Sequence, residues 1–347
     1  MRALVLTQLG GPDKLTVLEL PDPPAPSTHE VLVRIRCAAL NHLDLFLTEG
    51  VKGISLSFPH IVGTDGAGVV AAIGNGVDGI KVGDRVTINP GISCGVCPIC
   101  ERGEEPYCRQ FQILGEHRPG TAAELVLVPE RNVATIPEDM SWPAAAAFPL
   151  STLTAWRMLK TRAQLSSGES VLIWGAGGGI SIAALQIARL LGARVIVTGS
   201  TDEKLARARE LGADVVFNHS QHAPEEIARD VRKLTGTGVD VVVDTVGEKT
   251  WEASLKALCP GGRLVTCGAT SGPAVGLDIR RLFWFQWSLL GSTMGTRREF
   301  SEVMAHVRAG RLLPVVDSVV PLANGQQAYE RMSRSEQFGK LVIEVSR

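Results

Sequence analysis

GESVLIWGAGGGISIAALQIAR (168–189) decides the reading of this chain. VLIW (171–174) is an apolar run of strand length, and Gly175, Gly177, Gly178 and Gly179 follow it directly. The segment IAALQIARLLG (182–192) then carries apolar residues at helical spacing. Strand, glycine loop and helix in that order form the context in which a dinucleotide pyrophosphate is held. Glycine permits positive φ and close backbone approach, and the helix start at Ile180 offers free N–H groups and partial positive charge. The fingerprint is imperfect. Gly175-x-Gly177 is followed by Ile180 at the third glycine position, and in the other register Ser181 stands three residues after Gly178. Serine is small, so close packing of helix on strand survives. The bland alternative is a glycine-rich turn with no ligand.

Reading downstream, RVIVTG (194–199) is a strand and DEKLARARELG (202–212) a helix ended by Gly212. VVF (215–217) is a strand, and PEEIARDVRKLTG (224–236) a helix with proline at its start. VDVVVDTVG (239–247), GGRLVTCGA (261–269) and LLGST (289–293) supply three more strands, with WEASLKAL (251–258) a helix among them. Repeated strand–helix alternation predicts a doubly wound parallel sheet, an α/β fold. Beyond it, EFSEVMAHVRAG (299–310) and NGQQAYERMSRS (324–335) read as helices and KLVIEV (340–345) as a closing strand. About twenty residues after the glycine loop, a carboxylate would bind the ribose 2′-hydroxyl of NAD. Gly199 and Ser200 occupy that place, with Lys204 nearby, so space, a donor and a charge favour NADP(H). The alternative is that Ser200 and Lys204 are ordinary helix-start residues.

Upstream, the pattern is different. EVLVRIRCAA (30–39) sets Val31, Val33 and Ile35 on one face and Arg34 and Arg36 on the other, which is strand alternation. AGVVAAIG (67–74), DRVTIN (84–89) and ELVLVPE (124–130) are further short strands between glycine turns, and PDPPAPSTHE (21–30) is a loop. These features predict a barrel-like β domain. The expected organisation is residues 1–151, then a nucleotide-binding domain over 152–293, then a return to the first domain over 294–347.

Seven cysteines are an odd number, and Cys94, Cys97, Cys100 and Cys108 fall within fifteen residues. Four thiolates from one lobe, about 91–110, suit a tetrahedral Zn²⁺ with no open position, hence a structural ion. An iron–sulfur cluster or free thiols are the alternatives. Cys37, Cys259 and Cys267 read as small buried hydrophobes. The 347 residues suggest two domains, and 35 basic against 36 acidic residues argue against an electrostatic nucleic-acid partner. No run of about 20 apolar residues predicts a membrane span. MRALVLTQLGGPDKL lacks a signal-peptide h-region, so a cytoplasmic location is the expectation.

With these residues placed, the chain resembles the medium-chain dehydrogenase/reductase superfamily over essentially its whole length. VGTDGAGVVAAIGNGV (62–77) is similar to its Gly-His-Glu-x-x-Gly segment, and SCGVCPICERGEEPYC (93–108) to its structural-zinc lobe. The 168–189 stretch resembles the quinone oxidoreductase signature, with Ser181 in place of a glycine. The resemblance implies a GroES-like β-barrel domain plus a Rossmann domain. It also implies that the Cys, His and Cys ligands of a catalytic zinc align with Asn41, Thr64 and Leu150, and that Thr64-Asp65 replaces the usual His-Glu. No three-ligand catalytic zinc site is then expected, although the lobe is retained. By the same resemblance, Thr154, Gly178, Gly179, Ile180, Ser200, Lys204, Val246, Gly268, Ala269 and Ser292 line a cofactor path. His42 aligns with a position that often contacts cofactor phosphate, His219 replaces a tyrosine beside the adenosine phosphate, and Lys340 reaches a phosphate from the returning chain. His60 is expected in a loop.

Without a Lewis acid, a conjugated acceptor such as a quinone or enone is reduced more easily than an isolated aldehyde. Asn41 would then donate to the developing oxyanion with help from Thr64, while Asp44 orients the segment; Asn41 also fits a helix N-cap before HLDLFLTEG. LFWFQW (282–287) precedes the last sheet strand, an edge that family members use for dimerisation, so a homodimer or homotetramer acting on a small molecule is expected. Two other readings are an alcohol or aldehyde dehydrogenase with an atypical site and a non-catalytic NADPH-binding protein.

Overall fold

The computed structural model describes residues 1–346. The chain folds as two units: Met1–Ser151 with Gly295–Gly310 and Pro314–Arg347, and Thr152–Met294 with Arg311–Leu313.

The second unit is built on six parallel strands. Their order across the sheet is Val215–Asn218, Arg194–Gly199, Ser170–Ile173, Val239–Val243, Leu258–Thr266 and Ser288–Gly291. Counted along the chain this is 3-2-1-4-5-6, the doubly wound order, which reverses direction between the first strand and the fourth. Val171, Leu172, Ile173, Val195, Ile196 and Val197 are fully buried, as parallel strands covered on both faces must be. The helices Gly179–Leu190, Asp202–Glu210, Pro224–Thr235 and Trp251–Ala257 make the connections. Pro224 opens its helix, and Gly212 follows the end of its own at φ +103°, where a side chain would be strained. The strand expected over 261–269 begins earlier, because Leu258 already pairs with Val239 across a register shift and carries the ladder through the glycine pair.

The first unit centres on the long strand Glu30–Ala39, flanked by Asp65–Ile73, Leu125–Pro129 and the returning strand Lys340–Glu344. Val31, Val33 and Ile35 are fully buried while Arg34 is exposed, the alternation of a half-buried strand. Register places the polar residues. Val342 lies opposite Ala39 in an antiparallel pair and the Leu40 N–H donates to the Leu341 carbonyl, so Lys340, two residues before Val342, comes opposite Asn41, two residues after Ala39. Asp65 pairs with Ala39 from the other side. His60 is not in a loop: it forms the short strand His60–Ile61 and is buried, with Nε2 2.8 Å from the Gly115 carbonyl. Among the described residues, no helix is long and apolar enough to cross a membrane.

Candidate functional site

In the second unit, strand Ser170–Ile173 runs into Trp174 and the glycine loop. The helix starts at Gly179 with Gly178 as its N-cap, one residue before the position read from the sequence. Gly175 and Gly177 have φ of +77° and +144°, which only glycine adopts without strain. A Cβ built on Gly175 or Gly178 would meet nothing within 4 Å, so the space beside the loop is open. Ser181, which breaks the fingerprint, is buried and donates its hydroxyl to the Trp174 carbonyl at 3.0 Å. It ties the helix to the strand end, where glycine would only allow close approach.

Other expected cofactor residues gather at the carboxyl ends of the same strands. Thr198 accepts the Gly175 N–H at 3.0 Å and lies 3.1 Å from His219 Nδ1. Burial, and then the charge of Lys204, lowers the His219 pKa, so this imidazole is neutral near pH 7. The Ser200 carbonyl accepts the Ser220 hydroxyl at 2.9 Å. Thr201 caps the next helix, and Asp202, in its first turn, accepts Asn218 Nδ2 at 2.9 Å. The Val246 N–H donates to Asp244 at 2.9 Å, and Ala269 sits 3.1 Å from where a Gly247 Cβ would stand. Gly268 turns back on Thr266, its carbonyl accepting that hydroxyl at 3.0 Å, and buried Thr154 faces the Met294 sulfur. Ser292 bonds through its backbone, but its buried hydroxyl has no partner. An open glycine cradle and an orphaned hydroxyl on one sheet edge fit a dinucleotide.

The first unit holds a buried ionic cluster. Asn41 stands at the N-cap of helix His42–Glu49, yet its side chain turns elsewhere. Its Nδ2 donates to Asp65 Oδ2 at 3.0 Å, and its Oδ1 accepts from the Lys340 ammonium. Lys340 also bridges to Asp65 Oδ2 at 2.9 Å, and Asp65 Oδ1 accepts the Leu150 N–H at 2.8 Å. Lys340 is 4% exposed and Asp65 0%, so the ammonium is committed inside the cluster and not extended toward a phosphate as the sequence reading had it. Asp44 accepts the Asn41 N–H at 2.7 Å and the Thr64 hydroxyl at 2.5 Å, and so orients this segment. Thr64 has no exposed surface, so its hydroxyl supports Asp44 and does not reach a substrate. Burial, and then the Lys340 charge, lowers the His42 pKa, so this imidazole is neutral near pH 7.

Burial pushes the Asp44 carboxyl up to about 7, against the downward pull of Thr64, the Asn41 N–H and Lys340; Asp65 adds to the rise. The folded chain therefore holds a proton that the unfolded chain releases near pH 4, and stability falls as pH rises from about 4 to about 7. Lys340, Asp65, His42 and Tyr329 are the other titratable groups around it. Urea unfolding of wild type and Asp44→Asn across that range checks this: the difference in unfolding free energy between them should slope with pH. A constant difference would remove the assignment.

The cysteine lobe is the third feature. Among the described residues, Cys94, Cys97, Cys100 and Cys108 are the one group of three or more His, Cys, Asp or Glu side chains placed to hold a metal ion. Their Sγ···Sγ distances are 3.8 Å (94–100), 3.5 Å (97–100), 3.9 Å (97–108) and 3.6 Å (94–108). Four sulfurs about 2.3 Å from a tetrahedral zinc lie about 3.8 Å apart, so the thiols fit such an ion. The Val96 N–H, the largest cause, helps pull the Cys94 thiol down to about 6. Arg131 donates to the Ser93 carbonyl at 2.6 Å, and Arg297 pairs with nearly buried Glu105 at 2.8 Å, anchoring the lobe at two points. Burial pushes the Cys37 and Cys267 thiols up to about 12 and also raises Cys259; Cys37 is buried, while Cys259 and Cys267 are half-buried.

One unit with a doubly wound sheet and an open glycine loop, and another that is β-rich and carries a four-cysteine lobe, define an oxidoreductase class. Residues 27–138 match the alcohol dehydrogenase GroES-like domain family and residues 179–309 the zinc-binding dehydrogenase family. An NAD-dependent alcohol dehydrogenase of Sulfolobus acidocaldarius is 32% identical over 100% of both chains. An acryloyl-coenzyme A reductase of Metallosphaera sedula is 31% identical over 99% of both. A crystal structure of an NAD-dependent alcohol dehydrogenase matches with a TM-score of 0.95 and 45% identity, covering 100% of each chain. The chain belongs to the medium-chain dehydrogenase/reductase superfamily.

Proposed function

We propose that this protein reduces a conjugated carbonyl compound (a quinone, an enone or an enoyl thioester) with NADPH, and that no metal ion touches the reacting carbonyl. The Lys340–Asn41–Asp65 cluster carries this reading. Asn41, Thr64 and Leu150 offer no thiolate or imidazole, and a buried ammonium already sits beside Asn41 and repels a dication. A bound reduced nicotinamide supplies the hydride. The chain's own part is to stabilise negative charge on the acceptor oxygen. Lys340 withdraws electron density through the Asn41 carbonyl, which strengthens the amide as a donor. Asp65 takes one amide hydrogen, leaving the second for the oxyanion. In a conjugated acceptor that charge is already delocalised, so one polarised amide suffices where an aldehyde needs a Lewis acid. The acryloyl-coenzyme A reductase among the relatives supports an enoyl thioester as one such acceptor.

The favoured cofactor follows from Gly199, Ser200 and Lys204, where no carboxylate opposes a 2′-phosphate. The names of two similar proteins favour a second reading, an NAD-dependent alcohol dehydrogenase. One experiment separates them: fluorescence titration with NADPH and NADH, then a quinone, enone, enoyl thioester, aldehyde and alcohol panel with and without chelator. Tighter NADPH binding and chelator-insensitive reduction of a conjugated acceptor support the proposal. Chelator-sensitive alcohol oxidation overturns it, and cofactor binding with no turnover of any acceptor indicates a sensor.

One structural zinc held by the four cysteines, a cytoplasmic location and a self-associating edge complete the proposal; neither nucleic acid nor membrane is a partner. Strand Ser288–Gly291 ends the sheet, and among the described residues it pairs only with Leu258–Thr266. Just before it, Ile279, Phe283 and Trp284 are 65–75% exposed. An apolar face beside an open strand edge suits a second copy, since two such edges pair antiparallel about a two-fold axis. Trp284→Glu should shift the protein to monomer in sedimentation velocity. An unchanged sedimentation coefficient would remove this interface.

A further inference from the structure

The Trp174 indole is buried immediately before the glycine loop, and the dehydrogenase reading gives it no role. Its Nε1–H donates to Ser254 Oγ at 2.7 Å, and Ser254 donates to Asp244 Oδ2 at 2.6 Å. Ser254 and Asp244 have no exposed surface. Asp244 in turn accepts the N–H groups of Val246 at 2.9 Å and Gly247 at 3.0 Å, together with the Thr250 hydroxyl. Asp244 directly follows the fourth strand of the sheet and Trp174 the first, so the chain of hydrogen bonds crosses the switch point where the strand order reverses. It fastens the loop of Val246 to the loop of Gly175–Gly178 by side chains on the sheet and on the helix Trp251–Ala257.

We propose that Trp174, Ser254 and Asp244 are positioning residues that fix these two loops in the conformation that receives a nicotinamide dinucleotide. The inference rests on the reading that this unit binds such a cofactor. Asp244 has both oxygens saturated by fixed donors, so the backbone after it has one conformation. The indole reports that conformation to the glycine loop through a single hydroxyl. Removal of that hydroxyl strands the indole N–H in a dry core and leaves Asp244 Oδ2 with only the Thr250 hydroxyl, which it shares with Oδ1, and under-satisfied buried groups drive rearrangement. Both loops then sample other geometries, and binding of the dinucleotide must restore the correct one.

The test is a binding cycle on the full-length protein. NADPH and NADH are titrated into wild type, Ser254→Ala, Trp174→Phe and the double variant, with thermal unfolding of each. Val231→Ala, a core change on the helix Pro224–Thr235, is the stability control. Ser254→Ala is expected to raise Kd about fivefold, Trp174→Phe by a similar factor, and the double variant by much less than the product, because both break one path. Val231→Ala should lower the melting temperature and leave Kd unchanged. Hydrogen exchange at the Val246 and Gly247 amides should quicken in Ser254→Ala. Unchanged Kd in both single variants, or effects that multiply independently, overturns the relay. Wild type that binds neither dinucleotide overturns the cofactor reading itself, a separate outcome.

Discussion

Lys340→Met is expected to destabilise the protein by roughly 3–5 kcal/mol, the usual effect of removing one partner of a buried ion pair. Asp65 is fully buried, and Lys340 is its one cationic partner in the cluster. Without the ammonium, the carboxylate retains only the amide of Asn41 and the N–H of Leu150, which do not offset a charge removed from water. The double variant Lys340→Met/Asp65→Asn removes both charges and should recover much of the loss. Urea unfolding at constant pH measures both. A loss below about 1 kcal/mol in the single variant would place the pair in the range of solvent-exposed bridges and remove its structural meaning. The functional consequence is separable: in the double variant Asn41 loses its polarising cation, so turnover of a conjugated acceptor should stay low even where stability returns. Full recovery of turnover would take Lys340 out of the proposed chemistry.

The same cluster shows where sequence reading reaches and where it stops. The parallel sheet was legible because VLIW, RVIVTG and VDVVVDTVG are apolar runs punctuated by helical repeats, and strands buried on both faces have no other reading. The cysteine lobe was legible because its spacing is itself the geometry. Asn41 and Thr64 were singled out only because residues stood where zinc ligands are expected. Their hydrogen bonds were not legible, since they depend on a partner 299 residues away in sequence for Asn41. The strand register that brings Lys340 opposite Asn41 is a tertiary fact. The signal available beforehand was weak: a lysine opening the apolar strand KLVIEV begs for a buried counter-charge. His60 was misplaced for a related reason. A histidine after Pro59 reads as loop, and only the pairing of His60–Ile61 with Val5 and Leu6 makes it a buried strand residue. Trp174, Ser254 and Asp244 lie on three separate segments, and no local pattern joins them.

Cys100→Ser is expected to yield a protein without bound zinc and with a loss of several kcal/mol in stability. Structural zinc contributes about 10–16 kcal/mol of binding free energy in small metal domains, and part of that becomes folding free energy wherever the apo segment lacks a core. The lobe fits that case. Its short helix Pro98–Glu101 has four residues, Val96 and Tyr107 are exposed, and Gly95 and Gly103 hold positive-φ turns. In the variant, loss of the ion leaves the thiols of Cys94, Cys97 and Cys108 unligated, with Sγ···Sγ distances of 3.6 Å (94–108) and 3.9 Å (97–108), and open to oxidation. The Arg297–Glu105 bridge then loses its fixed partner, so the damage passes to the helix Arg297–Arg308. Metal analysis of the purified wild type should give about one zinc per chain, and denaturation in the presence of chelator should match the variant. The discriminating measurement is turnover at a temperature where both proteins are folded. A purely structural ion leaves the rate per folded molecule nearly unchanged. If the rate instead falls in proportion to zinc while the melting temperature holds, a metal sits at the chemistry and the proposed mechanism fails.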